Sequence, residues 1–138
     1  MTTYVEARDD LVDLINSTWP VAYPDQPVFY ENTLAIDLDT VPNGFLRVEI
    51  EYQDSLEASL DQITRTYGSL YLTVFVKAGT GTRQVFGMMD FLTNVAKFVT
   101  TTKVTLGAPT PGAKLDKEAK KGWVGYELIV PFQFNSLA

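Results

Sequence analysis

Between Leu70 and Val99 the spacing of apolar residues changes once, and abruptly. Over LYLTVFVK, Leu70, Leu72, Val74 and Val76 recur at every second position. Over RQVFGMMDFLTNVAKFV, Val85, Met88, Met89, Leu92, Val95, Ala96 and Val99 recur at steps of three and four. The first spacing is that of a strand and the second that of an amphipathic helix. Only AGTGT, residues 78–82, separates them. A strand must therefore turn almost directly into a helix, and both apolar faces must reach one core.

That turn also poses a chemical question, because a strand, a glycine turn and a helix can cradle a phosphate on the helix N-terminal amides. A Walker A loop needs Lys behind its glycines, and none follows Gly81. A dinucleotide fingerprint needs a third glycine at position 84, which is Gln; the next is Gly87. No second βαβ unit of the usual size accompanies the turn. Thr80 or Thr82 as a helix N-cap accounts for the threonines, and glycine permits the tight bend. Gly79, Gly81 and Thr82 are therefore expected to form a structural corner.

The remaining elements follow from the same periodicities. In TTYVEARDDLVDLINSTW, Tyr4, Ala7, Leu11, Leu14 and Ile15 fall at helical spacing, with acids in the early turns. Thr2 or Thr3 is placed to cap this helix, and Trp19-Pro20 is where it should stop. PVAYPDQP should be irregular, VFYEN a short strand, and Pro42-Asn43-Gly44 a turn. In FLRVEIEYQ, Leu46, Val48, Ile50 and Tyr52 alternate with Arg47, Glu49 and Glu51, which predicts a strand with one wet face. Residues 54–61 read as a connector, or as a short helical turn. Residues 62–67 and 70–77 read as two strands broken at Gly68-Ser69, or as one long bent strand.

Residues 102–106 form a short strand, and GAPTPGAKLDKEAKKG, residues 107–122, a long mobile loop. In the closing WVGYELIVPFQF, Val124, Tyr126, Leu128, Val130, Phe132 and Phe134 share a strand face. Pro131 lacks the donor of a ladder hydrogen bond, which implies an edge or a bulge there. With 138 residues and no linker or repeat, one domain is expected. Its fold class is α+β: an antiparallel or mixed sheet with two main helices packed on one face.

Composition narrows the chemistry. The chain has neither Cys nor His, so thiolate metal sites, disulfides and His-dependent triads are ruled out. No apolar run is long enough to span a bilayer. Carboxylate chemistry remains open. Glu49 and Glu51 share a strand face and Asp37 and Asp39 share a loop, and such pairs can serve glycosidic chemistry or hold a divalent cation. Solvated charge is the simpler reading. Lys114, Lys117, Lys120 and Lys121 form the dense basic cluster, diluted by Asp116 and Glu118, which fits a protein-contacting loop better than a nucleic-acid reader. Charge is also unevenly divided: residues 1–61 carry −11 and residues 62–138 carry +5, for a net −6. Opposite potentials on two sides of a molecule can bring copies together.

Taken in order, the amphipathic helix, PVFYEN, FLRVEIEY, TYGSLYLTVFVKAGTGTRQ with its helix, and GYELIVPFQF resemble the tail terminator (tail completion) proteins of long-tailed bacteriophages, including the lambda-type terminators. The likeness spans nearly the whole chain, and the strand ending in GTGTRQ is its most specific part. It implies a non-enzymatic virion protein without cofactor or metal, at the head-proximal end of the tail and assembled in the bacterial cytoplasm. Such proteins form hexameric rings that cap the tail tube, end its polymerisation and provide the surface for head–tail joining. The partners implied are further copies of itself, the major tail tube protein and a head-completion or neck protein, with no membrane and no sequence-specific nucleic acid, though DNA passes through the lumen. Asp37, Asp39, Glu49, Glu51 and the four loop lysines are the candidate protein contacts. A neck, head-closure or tail tube protein is the alternative, and a small acidic domain binding a phosphorylated ligand at the Gly79–Thr82 turn is a more distant one.

Overall fold

Thr3 starts the first helix by a reciprocal cap. Its hydroxyl accepts from the Glu6 backbone N–H at 3.1 Å, and the Glu6 carboxylate accepts from the Thr3 N–H at 3.0 Å. A computed structural model describes residues 2–30, 44–57, 63–79, 81–115 and 122–137. Its elements are α1 (Tyr4–Ala22), β1 (Val28–Tyr30), β2 (Gly44–Glu57), β3 (Ile63–Lys77), α2 (Arg83–Ala96), β4 (Thr105–Leu106), β5 (Thr110–Leu115) and β6 (Trp123–Leu137).

The strands make one mixed sheet in the order β1-β2-β3-β6-β4, with β5 also pairing β6. β1 runs parallel to β2; the other pairs are antiparallel. Both helices lie on one face. Ala7, Leu11, Ile15 and Trp19 of α1 and Val85, Met88, Leu92 and Ala96 of α2 join a single core with Leu46, Val48, Leu72, Val74, Leu128 and Val130 of the sheet. Trp19 also meets Phe91 edge-on at 6.1 Å, so the helices touch each other as well as the sheet. Full burial of each Val, Leu, Ile or Met among them contributes roughly 1.5–3 kcal/mol.

Four sequence expectations change. α1 does not stop at Trp19-Pro20 but runs on to Ala22 with Pro20 inside it. Proline removes one backbone donor, yet the last turn is held from elsewhere. Trp19 is fully buried, its Nε1 donates to the Gln26 carbonyl at 2.7 Å, and the Tyr23 N–H donates to the Trp19 carbonyl at 2.8 Å. The supposed connector at 54–57 is the end of β2, reached through a bulge: Tyr52 pairs with Gly68 and Ser55 with Thr66, one extra residue on β2.

Of the two readings left open for residues 62–77, β3 takes the second: one strand running through Gly68-Ser69. There glycine is required by close approach, since a Cβ at position 68 would meet the Phe132 ring at 2.3 Å and the Glu51 carbonyl at 2.7 Å. Finally, residues 107–122 are not one long loop. β5 occupies Thr110–Leu115 and pairs with β6, while residues 116–121 lie outside the described set. The strand expected at 102–106 is shorter, as Thr105–Leu106.

Pro131 resolves neatly. β6 is flanked on both sides, yet Pro131 pairs with Ser69 of β3 and turns its carbonyl the other way, where it accepts from the Gly107 N–H at 2.8 Å. The nitrogen of a strand residue faces the same side as its carbonyl, so the missing donor falls where β4 gives way to β5 and breaks no ladder bond with β3.

Candidate interaction site

The corner that opened the sequence argument is a bend with exposed glycines. Gly79 and Gly81 have φ of 92° and 82°, a region glycine enters without strain, and a Cβ on either would meet nothing within 4 Å. Thr82 stands at the N-cap of α2, but in helical conformation, and its side chain makes no capping hydrogen bond. The expectation of a threonine cap therefore fails at Thr82, while Thr80 lies outside the described residues.

The carboxylate pair is divided between separate partners. Glu49 lies 2.8 Å from Arg47 Nε on the same strand face. Glu51 hydrogen-bonds Tyr71, whose phenol is pushed above its ordinary range, first by burial and then by this carboxylate. The Arg47 guanidinium also sits over the Phe75 ring, 5.1 Å from its centre. Glu49 is thus engaged within β2 and Glu51 across the β2–β3 pair. Asp37, Asp39, Lys117, Lys120 and Lys121 lie outside the described residues, and Lys114 is placed only as part of β5, in register with Tyr126. Of the described candidates, Glu49 and Glu51 have different partners. Among the described residues, no group of three or more Asp or Glu is placed to hold a metal ion, and no helix is long and apolar enough to cross a membrane.

Two features absent from the sequence reading stand out instead. One is an apolar groove of about 250 Å³ between α1 and the β1–β2 edge, lined among the described residues by Tyr4, Val5, Arg8, Val12, Tyr30 and Tyr52. Tyr4 and Val5 are 53% and 68% exposed, although they sit on a helix whose other face is core. Their exposure follows from helical geometry, which points Ala7, Leu11 and Ile15 inward and leaves positions 4, 5 and 8 beside the sheet edge. Tyr30 closes the groove, donating to the Asn16 amide oxygen at 2.6 Å. Burial raises its phenol pKa, Arg8 opposes the shift and Asp13 adds to it, which places both charges near the groove. Arg8 is itself paired with Asp9 at 2.9 Å.

The other feature is Phe98, just beyond α2. It is 65% exposed and has φ of 53°, the one non-glycine residue described in the left-handed region. Bulky side chains rarely adopt that conformation. Its backbone is fixed by a hydrogen bond from its N–H to the Gly107 carbonyl at 3.2 Å, and the next residue pairs with β4 through Leu106 N–H to Val99 O at 2.8 Å. No sequence signal marks it: Phe98 follows Ala96, the last buried position of the α2 stripe.

On the opposite face of the sheet, Phe45 stacks on Phe75 at 4.7 Å and meets Trp123 at 5.2 Å, and all three are buried. This is a second, smaller packing layer rather than an open cleft.

No protein-family model matches the chain, and no curated protein matches it. Solved structures do match it; one is similar with a TM-score of 0.53 and 17% sequence identity, over 92% of this chain and 97% of its own. At that identity the similarity shows that the α+β fold is shared over most of the chain, and the fold alone.

Proposed function

We propose that this chain is a ring-forming tail terminator of a long-tailed bacteriophage, which caps the tail tube, ends its polymerisation and presents the surface for head–tail joining. The observation that supports the reading is the order of elements around the glycine corner: α1, the short β1, the wet-faced β2, β3 running to Gly79–Gly81, α2, and the closing β6. That order is the one on which the resemblance rests, and it occupies one continuous core. A protomer of a ring must also carry two different patches, one for each neighbour. The exposed groove beside α1 and the exposed Phe98 beyond α2 supply two such patches. In this role the chain needs no cofactor and performs no catalysis; its partners are its own copies, the tail tube protein and a neck protein.

The test is mass measurement in solution with electron micrographs, alone and with tail tubes. Closed single rings, free or at tube ends, and arrested tube growth are expected. Extended tubes of this chain alone would instead identify a tube subunit, and failure to associate with itself or with tubes would overturn the reading.

A further inference from the structure

The outer side of α2 carries two unlike charges that the chain does not pair. Arg83, Gly87, Asp90 and Asn94 recur at steps of four, three and four, and all are exposed. At 100° per residue this stripe lies opposite the buried Val85, Met88, Leu92 and Ala96. Arg83 and Asp90 stand two turns apart, about 10 Å along the axis. Neither side chain makes an ion pair or hydrogen bond among the described residues. Gly87 sits between them. Glycine in a helix interior is disfavoured relative to alanine, and packing within the chain does not demand it, since a Cβ there meets nothing within 4 Å. Beside it Phe86 is 45% exposed, its ring held edge-on against Tyr126 at 5.2 Å.

The order of these residues is complementary to itself. A two-fold axis midway between Phe86 and Gly87 is also midway between Arg83 and Asp90. A second α2 laid antiparallel across that axis places Arg83 of each copy opposite Asp90 of the other, twice over. The same operation brings Phe86 beside Phe86 and Gly87 beside Gly87, where the missing side chains let the backbones approach closer than the usual separation of roughly 8–10 Å. A parallel copy in register sets like charge against like. Lys97, the next charge along this side, lies 5.9 Å from the Phe98 ring centre and falls beyond the start of the partner helix.

We propose that two copies of this chain pair through the outer sides of α2, antiparallel about a two-fold axis between Phe86 and Gly87, with Arg83 of each copy opposite Asp90 of the other. Such a contact is isologous: it uses one patch twice and closes at two copies. It does not rest on the ring reading, since ring contacts are heterologous; where rings form, it links chains of separate rings. The two Phe86 rings supply apolar burial, and the paired charges set direction and register.

Charge reversal tests the contact. In sedimentation over a concentration series, Arg83→Glu alone and Asp90→Arg alone should each weaken self-association roughly tenfold, because two like-charge contacts replace two ion pairs. Mixed together, the two proteins should associate with each other at least as tightly as wild type, since every charge then faces its opposite. The chain has no cysteine, so Gly87→Cys supplies one thiol per copy, and a short bismaleimide should link two copies. Asn94→Cys should not be linked, its two thiols standing roughly 22 Å apart along the axis. Gly87→Gln should raise the melting temperature, as a better helix former with open space around it, yet weaken association by holding the helices apart. A mixture that associates no better than its components, equal cross-linking at positions 87 and 94, or a wild-type chain that stays monomeric throughout overturns the contact. Rings that cap tubes without the cross-link at position 87 overturn this contact alone and leave the terminator reading intact.

Discussion

Lys103 and Glu6, 97 positions apart, are joined by an ion pair that ties the first turn of α1 to the strand edge at β4. Asp10, one turn further along α1, accepts from the Thr101 hydroxyl at 2.7 Å and the Lys103 backbone N–H at 2.9 Å. The segment that carries Phe98 into β4 is thereby fastened to the helix that forms one wall of the groove.

This pair makes stability depend on pH. The Lys103 ammonium, with help from the Thr3 backbone N–H, holds the Glu6 carboxyl down from 4.5 to about 2. A carboxyl depressed in the folded state contributes stability above its unfolded value and loses it as pH falls through the folded one. The melting temperature of wild type should therefore exceed that of Glu6→Gln at neutral pH, and the difference should close between pH 4.5 and about 2. Thermal scans across that range check it; a difference that does not change with pH would sink the account.

The two helix starts should respond oppositely to loss of a hydroxyl. Thr3 accepts a true capping bond, so Thr3→Ala should cost about 0.5–2 kcal/mol. Thr82 makes none, so Thr82→Ala should fall within roughly 0.5 kcal/mol of wild type. Urea unfolding of the two variants decides between this pattern and a corner in which threonine is structurally essential.

Gly68 is the tightest point described along β3. Gly68→Ala pushes a methyl into Phe132 and into the β2 backbone, and about 1–3 kcal/mol or more of destabilisation is expected. An unchanged denaturation midpoint would show that the sheet relaxes around it.

Trp19 is the largest fully buried side chain and carries the helix past Pro20. Trp19→Ala should cost about 3–5 kcal/mol. The end of α1 should also fray, read as faster amide exchange at residues 20–23 than in Leu106→Ala, a core variant on β4 at the other end of the strand order from β1.

The helices and the alternation of β2, β3 and β6 were legible in the sequence because each shows an apolar stripe, and a stripe has one period. The single core followed from the same stripes. What misled were local rules with a remote exception. The proline rule ended α1 too early because it cannot see Trp19 reaching Gln26. The glycine at position 68 left a break and a single long strand both open, because its reason is a Phe132 ring that arrives sixty-four residues later in the chain. The 107–122 stretch read as loop because β5 has no apolar stripe and is placed by its pairing with β6.

The candidate surfaces divide the same way. Sequence by itself determined the two helices, the long strands with an apolar stripe, their buried faces and the charge imbalance, all of which are set by residue type and spacing along the chain. Only the tertiary structure decided that Glu49 and Glu51 serve different partners, that Pro131 points its missing donor into a seam, and that Tyr4, Val5 and Phe98 remain exposed at opposite edges of one sheet. Those outcomes depend on which strands become neighbours, and pairing across the sheet is a choice made between segments far apart in sequence rather than within any one of them.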